Sequence, residues 1–365
     1  MNQRVCFVVG ARPNFMKAAP VVRALSEGYD GVELLLVHTG QHYDEGMSAV
    51  FLEELELPQP DVFLGVGSGS HAEQTAKALV GLERVLLEHR SSLCVVAGDV
   101  NSTLAGALAA SKLRIPVAHI EAGLRSFDES MPEEANRRLT DHLSQLLLAH
   151  SEGAVDNLER ESIDRARIHM VGNTMIDSVL RHLPRALERE PWSRFEVEPD
   201  GFALVTLHRP ALVDHADLLE RTVNALEELA IDRPLIFPVH PRTEARLASR
   251  RRSSERNGRS SLHLCRPLGY LDFLGLEAKA SFVLTDSGGV QEETSALGVR
   301  CFTFRENTER PITVELGTNV VLGTDPDGIR AIPRLLETER PTTAIPLWDG
   351  KAGARAAAVL AEFLG

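Results

Sequence analysis

Cysteine is scarce and scattered in this chain: Cys6, Cys94, Cys265 and Cys301 stand far apart, and three of the four lie in or beside apolar runs. The sequence has no Cys-x-x-Cys pair and no Cys/His spacing of a zinc site, so neither a disulfide framework nor a structural metal is expected. It also lacks any stretch long and apolar enough to span a bilayer, and the apolar core of the opening MNQRVCFVVGARP is too short for a signal peptide. Basic charge is in deficit: 39 Lys and Arg stand against 52 Asp and Glu, a formal net charge of −13. That balance argues against nucleic acid or an anionic membrane as the main partner, although a local site can still favour a small anion. The expectation is a reduced, cytoplasmic protein with no metal and with neither nucleic acid nor membrane as partner.

What is present is a rhythm. With 365 residues, 43% hydrophobic and 25% charged, the chain has the composition of a soluble globular protein and the length for two domains with real cores. Short Val/Leu/Ile-rich runs end in glycine or a polar residue: RVCFVVG, ELLLVHTG, SLCVVAGD and IPVAHIEAG, then GFALVTLHR, PLIFPVHPR, SFVLTDSGG, RCFTFRE and NVVLGTD. Between them lie helical patterns such as HAEQTAKALVGLERVLLEHR, with Thr75, Leu79, Leu82 and Leu86 on one face. Two such series predict an α/β protein of two doubly wound Rossmann-like domains facing each other across a cleft. The boundary is expected in or after VGNTMIDSVL, giving residues 1–178 and 179–349, with the closing helix 350–365 packed back on the first domain. The glycine-rich GVGSGSHAEQ matches neither GxGxxG nor the Walker pattern and reads as a loop before a helix.

Ligands of open parallel sheets sit beyond the carboxyl ends of the strands. That rule picks out Arg12, Asp99, Glu121, His208 and Ser287. Each also has an ordinary reading. Asp99 fits the cap of a helix starting near Asn101, Glu121 a solvated strand end, and His208 a satisfied surface histidine. Arg12 and Lys17 could simply face water. Ser130 and Glu133 form a capping-box pattern around Pro132. TDSGGVQEE poses a sharper problem. Gly288 and Gly289 after a strand suit close approach to an anion at a helix start, yet Glu292 and Glu293 follow at once.

Taken together, GARPNFMKAAP, HTGQHYD, AGDVNST, HIEAGLRS, MPEEANRR, VGNTMID, TLHR, TDSGGVQEE and RENTERP fall in the order that resembles bacterial UDP-N-acetylglucosamine 2-epimerases of the non-hydrolysing type. The likeness spans nearly the whole chain and implies a glycosyltransferase-B-like scaffold. It implies that Ser287, Gly288 and Gly289 cradle the diphosphate of a UDP-sugar and that Glu293 accepts hydrogen bonds from the ribose hydroxyls, with Glu292 in a supporting or first-turn role. Arg12, His208 and Arg310 fall near diphosphate and sugar, and Phe273 near uracil. Lys17 would organise the catalytic carboxylates, and Arg137 of MPEEANRR would join the substrate-binding set. Asp99, Glu121 and Glu133 match the acid/base trio. The implied reaction expels UDP, passes through 2-acetamidoglucal and re-adds UDP, interconverting UDP-GlcNAc and UDP-ManNAc in a homodimer without cofactor.

Four alternatives stay open: a hydrolysing relative releasing ManNAc, a modified UDP-sugar as substrate, a glycosyltransferase, and a sensor without turnover. The family's second-domain histidine motif often continues as His-Arg-Arg-Glu-Asn and contributes to a regulatory site for a second substrate molecule. Here the run is HRPALVD, so Gln41, His42, Arg209 and His240 remain as candidate effector contacts, and activation by substrate is expected to be weak or absent.

Overall fold

The computed structural model describes residues 3–40, 52–239, 261–338 and 344–365, and the chain divides into two compact units. The first comprises Met1–Arg181 with Pro346–Gly365, the second His182–Ile345.

The first unit carries a parallel sheet of β1 (Gln3–Val9), β2 (Val32–His38), β3 (Val62–Phe63), β4 (Leu93–Ala97), β5 (Val117–Ala122), β6 (Leu146–Ala149) and β7 (Ile168–Met170). Its order is β3-β2-β1-β4-β5-β6-β7. Every residue of β4 and β5 is buried, as expected of strands covered on both faces, which read as continuous apolar runs instead of alternating ones. The order reverses between β1 and β4, where Val5 pairs with Leu93 and Cys6 with Cys94. That is the switch point at which such sheets open a crevice. Cys6 and Cys94 are buried free thiols.

Counting helices of eight residues or more, this unit holds α1 (Arg12–Gly28), α2 (His71–Glu88), α3 (Asn101–Lys112), α4 (Pro132–Leu143), α5 (Glu152–Arg160) and α6 (Thr174–Glu188), the last running past the division at Arg181. Ser70 caps α2 through a reciprocal box with Glu73, which gives the glycine-rich loop an ordinary structural role. Pro20 lies inside α1 and cannot donate to the carbonyl of Met16. The Ser178 hydroxyl donates to that carbonyl instead, at 2.7 Å.

The second unit repeats the plan with β8 (Ala203–Thr206), β9 (Leu235–Pro238), β10 (Leu262–Cys265), β11 (Phe282–Thr285), β12 (Arg300–Thr303) and β13 (Asn319–Val321), in the order β10-β9-β8-β11-β12-β13. Its longer helices are α7 (Ala216–Leu229), α8 (Tyr270–Lys279) and α9 (Gly288–Leu297). Phe282 and Phe302 meet edge to face at 5.6 Å in its core, which also takes in Leu212. The chain then returns to the first unit as α10 (Ala352–Leu364), whose first two amides are capped by the Asp177 carboxylate at 3.1 and 2.7 Å. No described helix is long and apolar enough to cross a membrane.

Strands β3, β6, β7 and β10 were not among the runs read from the sequence. They are two to four residues long, and a run such as LLLA cannot be told from the end of a helical pattern by periodicity.

Candidate active site

At the switch point of the first unit the sequence-selected acids are held by specific cations. Glu121, the penultimate residue of β5, has φ 69° and lies at the register shift between Ile120 and Ala122. A left-handed glutamate is strained by about 1–3 kcal/mol, and the irregularity turns its side chain out of the strand alternation. Lys17 of α1 pairs with it, both side chains nearly sealed from solvent. Asn14, one turn earlier on α1, accepts from the amides of Gly10 and Ala11 and donates to the carbonyl of Ala97 at 2.7 Å, joining the ends of β1 and β4. These groups converge on Gly98. A Cβ there would lie 3.0 Å from Lys17 Nζ and 3.5 Å from Glu121 Oε2, and its φ of 65° favours glycine on conformational grounds as well.

Asp99, the next residue, accepts from Arg137 Nη2 at 2.6 Å, and Asn136 donates to its carbonyl at 2.9 Å. The capping reading of Asp99 does not hold. Val100 is the cap residue of α3, without a side-chain bond, because Asp99 is engaged by α4. The Ser130/Glu133 capping box is also absent: Met131 occupies the cap position, and the Ser130 hydroxyl donates to Asp128 at 2.6 Å. Glu133 is half-buried in the first turn of α4, and among the described residues no hydrogen bond ties it to Asp99 or Glu121.

Its neighbour Glu134, not singled out in the sequence, is the buried one. It accepts from the Ser126 amide and hydroxyl at 2.8 and 2.9 Å and from Arg137 at 2.9 Å. The i,i+3 spacing to Arg137 was the available signal. A second missed group lies beneath the site. His119 is wholly buried, with Nδ1 2.7 Å from Asp141 and Nε2 2.8 Å from the Gly98 carbonyl. The ring thus stands between two oxygen groups, the Asp141 carboxylate and the Gly98 carbonyl. Burial pushes the Asp141 carboxyl up, but His119 and Arg125 outweigh it and hold the group below the usual carboxylate range.

The second unit builds a different set at its own switch point, between β8 and β11. The amides of His208 and Arg209 both donate to Asp286 Oδ2 at 2.8 Å, and His208 Nδ1 lies 3.0 Å from Oδ1. Hydrogen bonding to Asp286 raises the His208 pKa above 6.5, against the opposing effect of burial. Asp286 was passed over in the sequence, although it stands at a strand end beside the selected Ser287.

Ser287 is the cap residue of α9. Its side chain makes no capping bond, and the first turn contains no acid, so the positive end of the helix is left available to an anion. Gly288 sits against a guanidinium: a Cβ would come 2.3 Å from Arg310 Nη1. Arg310 in turn lies 2.9 Å from Glu292 and 2.7 Å from Glu309, while Arg305 pairs with Glu309 at 2.7 Å. Glu292 is therefore no first-turn surface charge. It is fully buried and holds Arg310 from beneath. Glu293 is 7% exposed, and Phe273 is half-buried against the second unit's core, to which Trp192 and Phe195 also pack. Of Arg12 only the backbone is described, at the first position of α1, and Gln41, His42 and His240 lie outside the described residues.

A family model described as UDP-N-acetylglucosamine 2-epimerase matches residues 25–361. The chain belongs to this family. The UDP-N-acetylglucosamine 2-epimerase of Methanocaldococcus jannaschii is 43% identical over 362 residues, covering 98% of each chain. A crystal structure of the enzyme from that organism in complex with UDP-GlcNAc and UDP aligns with a TM-score of 0.89, over 99% of this chain and 100% of the other. The UDP-2,3-diacetamido-2,3-dideoxy-D-glucuronate 2-epimerase of Pseudomonas aeruginosa is 40% identical over 99% of each chain. A glycosyltransferase structure at 16% identity, with complete coverage of both chains and a TM-score of 0.63, shares the fold alone. Two Rossmann-like units in one chain are the domain complement of the glycosyltransferase-B scaffold.

Proposed function

We propose that this chain inverts C2 of UDP-N-acetylglucosamine to give UDP-N-acetylmannosamine, keeping the nucleotide in the product. The observation that carries the reading is the buried Lys17–Glu121 pair beside Gly98 and Asp99, an acid/base set in a chain of this family. The substrate's C2 bears no neighbouring carbonyl, so its proton is not acidic enough for direct removal. The C1–O bond to UDP breaks first, its electron pair leaving with the diphosphate. A carboxylate then takes the C2 proton, giving 2-acetamidoglucal. Proton delivery to the opposite face of C2 and re-addition of UDP oxygen at C1 complete the inversion.

In this reading Asp99, Glu121 and Glu133 supply the acid/base groups, with Lys17 and Arg137 setting the charge around the first two. Positioned groups of this kind contribute about 10²–10⁴-fold each. The α9 start at Ser287, Gly288 and Gly289 receives the diphosphate, with Arg310 and His208 balancing its charge, and Arg12 is a further substrate-binding residue in this reading. Glu293 accepts the ribose hydroxyls, and Phe273 packs toward uracil. A carboxylate one and a half turns into the helix is out of place against phosphate and well suited to a diol. The protein is proposed to act as a homodimer in the cytoplasm.

A second reading, a UDP-sugar modified at C3 or C6, is favoured by the likeness to the P. aeruginosa enzyme. Proton NMR with UDP-GlcNAc in deuterated water separates these readings. The expected outcome is a mixture of both UDP-sugars deuterated at C2. Product without C2 deuterium would overturn the elimination route, free ManNAc would mean hydrolysis, and inertness of UDP-GlcNAc would favour the modified sugar.

A further inference from the structure

The histidine beneath the site has no place in the chemistry above. His119 on β5 is sealed from solvent, yet its ring meets the backbone of the acid/base set. Its Nε2 lies 2.8 Å from the carbonyl oxygen of Gly98. A carbonyl oxygen only accepts, so this nitrogen carries a hydrogen and donates it. That carbonyl belongs to the planar peptide unit joining Gly98 to Asp99, so its direction sets the plane from which Asp99 departs. The position needs such a hold. Gly98 has φ 65°, and glycine adopts positive and negative φ about equally readily, so the peptide unit after it is free to turn. Turning it would re-aim the Asp99 side chain.

We infer that His119 is a positioning residue for Asp99: it locks the Gly98–Asp99 peptide by its carbonyl and ties the aim of the Asp99 carboxylate to α4. This rests on the acid/base reading of Asp99 and adds how that group keeps its direction. The ring is itself held by Asp141 of α4, with Nδ1 2.7 Å from Oδ1. The other Asp141 oxygen lies 2.8 Å from Arg125 Nη1 and accepts from the Gly123 amide at 3.2 Å. Glu161 fixes Arg125 through two bonds of 2.8 Å. Helix α4 thus reaches residues 98 and 99 three times: Asn136 on the Asp99 carbonyl, Arg137 on its carboxylate, and Asp141 through His119.

The test is turnover of the UDP-sugar that the NMR assay identifies as substrate, set beside UDP affinity by calorimetry. His119→Phe fills the space of the ring without a donor and leaves Asp141 its contacts with Arg125 and Gly123. It should lower kcat about 100-fold, the cost of a misplaced catalytic group, with UDP affinity unchanged. His119→Gln, whose amide can donate to the same carbonyl, should recover most of that loss. A double-mutant cycle with Asp99→Asn, followed at high enzyme concentration, separates positioning from general support. A residue acting through Asp99 costs nothing further once that carboxylate is gone, whereas a merely structural one costs the same factor in both backgrounds. The same factor in both, an equal fall in UDP affinity, or full turnover in His119→Phe would overturn the inference and leave the acid/base reading standing. Wild-type turnover in Asp99→Asn would sink the acid/base reading, and the inference with it. Should neither His119 variant fold, neutron diffraction from the wild type decides. Deuterium on Nε2 directed at the Gly98 carbonyl is expected, and a bare Nε2 or a carbonyl turned away would refute the positioning role.

Discussion

At the scale of single residues, the site is governed by which charges are held and by what. Asp286 illustrates this best, because one carboxylate fixes the chain direction after β8 through two amides and also sets the titration of His208. Asp286→Asn should therefore lower the His208 pKa toward 6.5, read from its ring signals in an NMR titration. The sign for stability follows. Folding raises the pKa, so protonated His208 favours the folded state. That contribution is whole below 6.5 and fades as pH rises through the raised value. Denaturation midpoints taken across that window should fall with pH more steeply in the wild type than in Asp286→Asn. An unchanged His208 titration in the variant would refute the assignment. Sequence reasoning found His208 and missed Asp286 because a strand-end aspartate next to a glycine pair has several ordinary uses. Only its three contacts choose among them.

At the scale of elements, α9 contains two glycines with different physical jobs. Gly288 is a matter of space, since a methyl group would meet Arg310 at 2.3 Å. Gly298 is a matter of conformation: it closes the same helix at φ 73°, with nothing within 4 Å of a Cβ. Gly288→Ala should cost about 1–3 kcal/mol through overpacking and weaken UDP binding by displacing the guanidinium. Gly298→Ala should cost about 1 kcal/mol and leave UDP binding unchanged. Thermal denaturation paired with calorimetry separates them, and equal losses of UDP affinity would show that Gly288 has no special relation to the site. The glycine pair and the helix start were legible in TDSGG. That Arg310 lies beneath Gly288 was not, because the two are separated by two connections and β12.

For the molecule as a whole, the HRPALVD run bears on regulation. Leu212 belongs to the core of the second unit, 4% exposed, so its apolar character answers to packing and not to a lost effector contact. Pro210 and Ala211 remain as departures that bring no side-chain donor where the family often has arginine and glutamate. A reaction started from pure UDP-ManNAc should run without a lag. A lag removed by a trace of UDP-GlcNAc would overturn this expectation and place an activating site in the protein.

The sequence by itself determined the α/β class, both parallel sheets in outline, and the residues that end their strands. Apolar runs of strand length have few other folded solutions, and glycine or a polar residue must stop them. It also put Lys17, Glu121, Asp99, His208 and Glu293 forward as a set through the resemblance of their motifs. The tertiary structure decided the partnerships: Lys17 with Glu121, Arg137 with Asp99, Glu292 with Arg310, and Asp286 with His208. Each pair joins groups from different elements. A buried charge takes its meaning from what stands within a few ångströms, and that distance is set by how the helices pack on the sheet, not by spacing along the chain.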